Sequence, residues 1–400
     1  MKWPFAAWCA AGALLAAGEV HAQELLDRLG DALSVSAYRD QVRARLSGLA
    51  DLEGYGFGHP APGLIDTTHQ GFFNPRLTLF LDAQAGGQVY FFAQARLDRG
   101  FDASDRGPQV RLDEYALRYT PWQDGRLNVQ IGKAAAVFGT WTGRHLSWDN
   151  PFVNAPLPYD NVSAVSDKEP PATRRDFGGV EADDKYEYLP VIWGPAYTTG
   201  LTVSGRSGPF DYAAEIKNAT LSSRPESWHA TEVDFSHPTF NGRVGYRPSL
   251  AWNFGVSASD GAYLRAEAAP ELPPGRGVGD YRQIVFGQDA SYAAGRWQLW
   301  AECMESRFEV PRVGNLDAFS YYLEAKYKWT PQLFGALRWN QQILAEVDGV
   351  AGSRDTRRVD GALGYRFTPH VQLKLQYSFQ KGNEPLGDGS TVATQLTVRF

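Results

Sequence analysis

Histidines close to carboxylates are the residues here best placed to do chemistry, and the sequence offers two groupings: His145 near Asp149, and His229 and His237 near Asp234. Hydrolysis would need a nucleophile, a base to activate it and a third group to orient the base. No recognisable nucleophile motif accompanies either grouping, and both fall in loop-like polar stretches. A hydrolase is therefore kept only as an alternative. Asp183 and Asp184 could face a calcium ion, but an adjacent pair lacks the ligand spacing of a calcium loop. Gly275-Arg276-Gly277-Val278-Gly279 follows Pro273-Pro274 instead of a strand, so it is a loop and not a nucleotide fingerprint. The expectation is no catalytic residue, no cofactor and no metal.

The elements that must carry these residues announce themselves by strict alternation. Near the end of the chain, Val371, Leu373, Leu375, Tyr377 and Phe379 interleave with Gln372, Lys374, Gln376, Ser378 and Gln380, which makes one face apolar and the other wet. Thr391 to Phe400 and Phe319 to Trp329 repeat the pattern, as do shorter runs between Leu77 and Phe367. Tight turns rich in Gly, Pro and Asn/Asp/Ser-type residues alternate with long polar connections, at about 58–71, 99–109, 134–195, 220–239, 260–280, 309–317, 348–355 and 381–390. The alternation predicts an all-β fold: a transmembrane antiparallel β-barrel of about sixteen strands, with both chain ends on the short-turn side. A soluble sandwich would alternate too, but not with one rim of tight turns and one of long loops. Tyr119, Trp122, Trp252, Trp297, Trp329 and Phe367 gather beside the tight turns, as an interfacial aromatic belt would.

Composition agrees. Hydrophobic residues make up 43% of the chain, yet no apolar run after Ala17 is long enough for a membrane helix. Lys2, the apolar stretch Trp3–Ala17 and Val20-His21-Ala22 before Gln23 have the form of a secretory signal, so residues 1–22 are expected to be removed. Cys303 is then the only cysteine left, and closure of the sheet must do what a disulfide cannot. Residues 23–42 break the pattern and are expected to form a periplasmic or lumenal segment before a barrel over 43–400. A net charge of -6 with no basic stripe argues against nucleic acid as a partner.

With the apolar set facing lipid, the lumen wall includes Arg76, Arg96, Arg118, Arg243, Arg338, Arg366, Lys326 and Lys374, set against Glu114, Glu302 and Glu324. Arg206 and Arg399 join the cations, and Asp82, Asp211, Glu215, Asp289 and Asp360 the anions. Such a wall is slightly cationic and would favour anions. The connection from Ala134 to Pro195 is the longest. Its Arg144, His145, Asp149, Lys168, Arg174, Arg175, Asp183 and Asp184 are candidates to project charge of both signs across the bore. Prolines 151, 156, 158, 170 and 171 favour an ordered path. This loop is taken to fold inward; the competing reading is a cap over the mouth.

The final strand Thr391-Val392-Ala393-Thr394-Gln395-Leu396-Thr397-Val398-Arg399-Phe400 resembles the C-terminal signature by which the outer-membrane assembly machinery recognises porins, with Phe400 as the signal. Asp113-Glu114-Tyr115-Ala116-Leu117-Arg118-Tyr119 and Ile131-Gly132-Lys133, leading to Phe138-Gly139, resemble paired strands of the phosphate-selective porin O and P family. No lysine ladder of that family is evident. The resemblance implies a bacterial outer-membrane channel, a homotrimer surrounded by membrane lipid and lipopolysaccharide that passes small hydrophilic solutes by diffusion, with the long loop after the fifth strand folded inward to narrow the pore. A closed barrel acting as adhesin or scaffold is the remaining alternative.

Overall fold

The computed structural model describes residues 19–58, 61–100, 107–173, 185–345, 355–382 and 388–400. After a helix α1 (Glu19–Ala32) and a short strand β1 (Ser34–Ala37), the chain forms sixteen strands: β2 (Val42–Phe57), β3 (Gly71–Ala85), β4 (Val89–Asp98), β5 (Gln109–Tyr119), β6 (Asn128–Ala134), β7 (Thr198–Ser207), β8 (Phe210–Lys217), β9 (Thr239–Tyr246), β10 (Trp252–Ala262), β11 (Arg282–Ala294), β12 (Trp297–Val310), β13 (Gly314–Lys328), β14 (Leu333–Leu344), β15 (Thr356–Arg366), β16 (Val371–Gly382) and β17 (Gly389–Arg399). Each pairs antiparallel with its successor, and β17 pairs with β2 through Leu396 opposite Leu52. The sheet is a closed antiparallel barrel, which leaves no row of unpaired backbone groups.

The burial pattern is inverted relative to a soluble protein. On β16, Leu375 and Tyr377 are 53% and 54% exposed, whereas Lys374 and Ser378 on either side of the pair are 0% and 2% exposed. The same holds around the ring: Leu337, Leu363, Val392, Ile131 and Phe240 point outward. Outward apolar side chains gain nothing in water but match hydrocarbon. At the short-turn rim, Tyr119, Trp122, Trp252, Trp297 and Trp329 are exposed in a belt, and Phe367 packs edge-on against Tyr365.

The seam between first and last strands is sealed by local chemistry. Gly48 and Phe400 exchange backbone hydrogen bonds of 3.0 and 3.1 Å, and the Phe400 ring lies where a Cβ on Gly48 would sit, 2.4 Å from the ring carbon. Any larger residue at 48 would displace the ring. Beyond that point β1 takes over the same edge of β2, with Ser34 opposite Arg45 and Ala37 opposite Val42. His370 in a short turn bonds Asp27 of α1 at 2.8 Å, so the segment over residues 23–42 docks at the short-turn rim as a helix and hairpin.

The expected long connection at 309–317 is corrected. β12 and β13 stay paired up to Val310 opposite Gly314, leaving a turn of Pro311, Arg312 and Val313, with Arg312 in the left-handed region. Gly314 and Asn315 read as loop residues, but the cross-strand partners Arg307 and Asp317 (2.7 Å) let the ladder continue.

Candidate functional site

The connection between β6 and β7, after the fifth barrel strand, crosses polar side chains of the barrel's inner face one after another. Ala135 N–H donates to Glu114 on β5 (2.9 Å), Val137 N–H to Glu215 on β8 (3.0 Å) and Gly139 N–H to Ser257 on β10 (3.2 Å). Glu302 on β12 then accepts from Thr140 Oγ1 (2.7 Å), Trp141 N–H (2.8 Å) and Tyr159 O–H (2.6 Å). Arg144 donates to Glu324 on β13 at 2.6 Å and to the Tyr322 hydroxyl at 3.2 Å. Irregular backbone away from bulk water must find partners, and the wall supplies them.

The second half of the segment is held from the opposite arc. Lys374 on β16 donates to the carbonyls of Ser147, Asn150 and Phe152 at 2.7, 2.9 and 3.1 Å. Gln376 accepts from Val153 N–H at 2.6 Å, and Asn340 from Leu157 N–H at 3.2 Å. Arg338 donates to Ala155 O (3.2 Å) and Asn154 Oδ1 (2.5 Å), while Arg358 reaches Asp160 at 2.9 Å. Arg338 and Arg358 share Asp360, with separations of 2.8 and 3.1 Å. Their positive charges are thus buried beside a carboxylate and aimed at loop carbonyls.

On the arc from β2 to β5 the charges pair with one another instead. Arg76 contacts Glu53 (3.0 Å) and Asp98 (3.6 Å), Arg96 contacts Asp113 (3.1 Å), and Arg111 bridges Asp98 (2.7 Å) and Asp113 (3.3 Å). Between this arc and the loop lies a cavity of about 140 Å³, bordered by Asp51, Arg76, Arg96, His145, Asn150 and Arg358. A second cavity of about 800 Å³ lies toward the short turns, against Glu114, Phe138, His145, Arg206, Asp211 and Arg243.

His145 stands between the two. Its Nδ1–H donates to Thr142 O and its Nε2 accepts from the Tyr197 hydroxyl, both at 2.6 Å. Burial is the main cause that lowers its pKa to about 4, so the ring is neutral at pH 7. Both ring nitrogens are already engaged, and no serine hydroxyl or carboxylate is among their partners. Among the described residues, His229 bonds only Thr231 in an exposed loop (3.4 Å), and Asp234 bonds Ser236 instead of either histidine.

Of the residues expected to narrow the bore, Arg144 meets the wall at Glu324, His145 bonds Tyr197 at the end of its own connection, and Asp149 is exposed beside Trp148. Lys168 lies apart, next to Asp167, which Arg224 clamps at 2.7 Å. There the loop joins the connections 218–238 and 263–281 around Val165, Leu189, Trp193, Leu221, Tyr263 and Leu264, a packed apolar cluster at the long-loop rim. Arg174, Arg175, Asp183 and Asp184 lie outside the described residues. On the wall, Arg243 joins Asp211 (2.9 Å) and Asp289 (2.7 Å), and Arg118 lies 4.5 Å over the Tyr90 ring. Sequence reasoning missed Asp51, Glu53, Asp98, Arg111, Asp113, Asn340, Arg358 and Gln376 as parts of this arrangement. Their signal was available for all but Asp113, which a bulge turns inward: each of the others occupies a wet-face position of an alternating strand.

No family model matches the sequence, and no curated relative does. Solved structures match over nearly the whole chain. OmpF of Salmonella typhi, in complex with daunomycin, superposes with a TM-score of 0.57 at 13% identity, covering 92% of this chain and 100% of that one. The anion-selective porin from Comamonas acidovorans gives 0.54 at 12% identity, with 90% and 100% coverage. The outer-membrane channel DcaP of Acinetobacter baumannii gives 0.58 at 10% identity, with 92% and 99% coverage. At these identities the likeness is one of fold: the porin barrel of bacterial outer membranes.

Proposed function

We propose that the chain is a bacterial outer-membrane porin through which small hydrophilic solutes diffuse, without chemistry. The observation that carries this reading is the inversion of each strand, apolar side chains outward and charged ones inward, around a ring with no free edge. Residues 1–22 would direct export and be removed, residues 23–42 would lie at the periplasmic rim, and 43–400 would form the barrel among membrane lipid and lipopolysaccharide. The assembly machinery would read the last strand and Phe400, and the trimer of the resembled family is the expected assembly. Membership of the phosphate-selective O and P family and preference for anions belong to this proposal too, supported by the motifs around Asp113–Gly139 and by wall cations that exceed their partners.

In this reading the segment 135–160 folds into the lumen and narrows it, and the cavity between His145 and the β2–β5 arc marks the tightest passage. Its support is the set of hydrogen bonds from opposite arcs of the wall. The same bonds favour a second reading, a barrel that the loop keeps shut, because a filled lumen must pair its buried charges. Single-channel conductance of the refolded chain, with and without residues 140–190, separates them. A porin conducts intact and conducts more without the loop; a shut barrel conducts only after deletion; no current in either form ends the channel reading.

A further inference from the structure

Most guanidinium groups in the lumen have a carboxylate at hand; two of those that do not lie side by side. Arg366, the last residue of β15, and Arg399, the last of β17, both lie over the indole of Trp148, at 5.0 and 4.3 Å from the ring. Arg366 is held by Gln372 Oε1 (2.9 Å) and the Trp148 carbonyl (3.5 Å), and Arg399 by Pro369 O (2.9 Å), all neutral acceptors. Among the described residues neither has a carboxylate within 4 Å. Lys326, two residues from the same end of β13, is 5% exposed, lies 4.1 Å over the Phe334 ring, and has no hydrogen-bond acceptor among the described residues. Lys374 nearby shows what a satisfied lysine looks like here, with three carbonyls around its ammonium. Glu324 and Asp149 face Lys326, but Glu324 is engaged by Arg144 and Arg338, and Asp149, the carboxylate that faces Arg366, is exposed.

Three cations brought together with no carboxylate paired to any of them repel one another, and a buried ammonium without a partner is costly. Such a cluster is stable when an anion completes it. We infer that Trp148, Lys326, Arg366 and Arg399 form a binding site for a small oxyanion, a carboxylate or a phosphate, at the short-turn mouth of the lumen. Guanidinium forks match planar or tetrahedral oxygen pairs better than a halide. At the short-turn mouth, the site would gather anions before or after the passage at His145. The inference deepens the porin reading by naming a solute class.

The test is calorimetric titration of the full chain in detergent with sodium phosphate and, separately, sodium acetate. Saturable binding of either anion is expected, weakened at least tenfold in Arg366→Gln/Arg399→Gln; stronger binding of one assigns the class. Equal affinity in the double variant, or no binding of either anion by the parent chain, overturns the site. Should the double variant lose its barrel circular dichroism, Lys326→Gln is the deciding variant, with the same tenfold expectation. Binding in detergent does not require conduction, so a chain that binds but carries no current would defeat the channel reading and leave the site standing.

Discussion

Two arcs of the same inner wall use the same residue types differently. From β12 to β16, Glu302, Glu324, Arg338, Arg358 and Lys374 spend their hydrogen bonds on the loop; from β2 to β5, Arg76, Arg96 and Arg111 spend theirs on Glu53, Asp98 and Asp113. The first arc is a row of anchors for irregular backbone. The second is a self-neutralised surface that leaves room for water and solute. What decides the role of a lumen charge is therefore its nearest partner, not its sign.

The largest effect that could break this contrast is expected at Glu302. Its replacement by Ala strips partners from Thr140, Trp141 and Tyr159, which by the usual penalty for orphaned buried donors costs about 3–5 kcal/mol of local stability. The folded barrel should then admit protease to the segment 135–160. Asp113→Asn, on the other arc, should leave that segment protected; release in both variants, or in neither, would erase the distinction. Lys374→Met comes next, at about 2–3 kcal/mol, since three carbonyls lose one donor that their own segment cannot replace. Cleavage near Ser147–Phe152 is the measurement.

His145 adds a pH dependence to the contact between the loop and the β4 side. Its folded pKa of about 4 lies below the ordinary histidine value of 6.5, so the folded loop binds fewer protons than the released one. Stability from this residue is full above about pH 6.5 and is lost as pH falls toward about 4. Loop protection should decline over that window in the parent chain and stay flat in His145→Gln. A decline of the same size in both would assign the effect to other groups.

Much of the barrel was legible because a two-residue period and a rhythm of turns are local signals. Strand count, the long connection after the fifth strand and the aromatic belt all follow from them. The anchors were legible only as wet-face residues: nothing near Lys374 in sequence announces Ser147, more than two hundred positions away. The β2–β5 network was harder, because its pairing depends on a bulge between Gln94 and Ala95 that brings Asp113 inward beside Arg96 and Arg111. The charged stretch 174–184 lies outside the described residues, so its expected charges join neither arc.

The hairpin that sequence reasoning mistook for a long connection provides the smallest effect and the cleanest control. Arg307 and Asp317 meet at 2.7 Å near the β12–β13 tip with both side chains about half exposed, whereas Arg358 and Asp360 meet at 3.1 Å with almost none of either exposed. Water screens the first pair, and the tip is already held by backbone pairing from Arg307 to Val310. Arg307→Gln should leave the thermal midpoint unmoved and the loop protected. Arg358→Gln should leave Asp160 and the Ala155 carbonyl without their donor and expose the loop to protease. A matching loss of loop protection in Arg307→Gln would mean that the tip and the loop unfold as one unit, and the anchoring arc would then extend beyond the lumen wall.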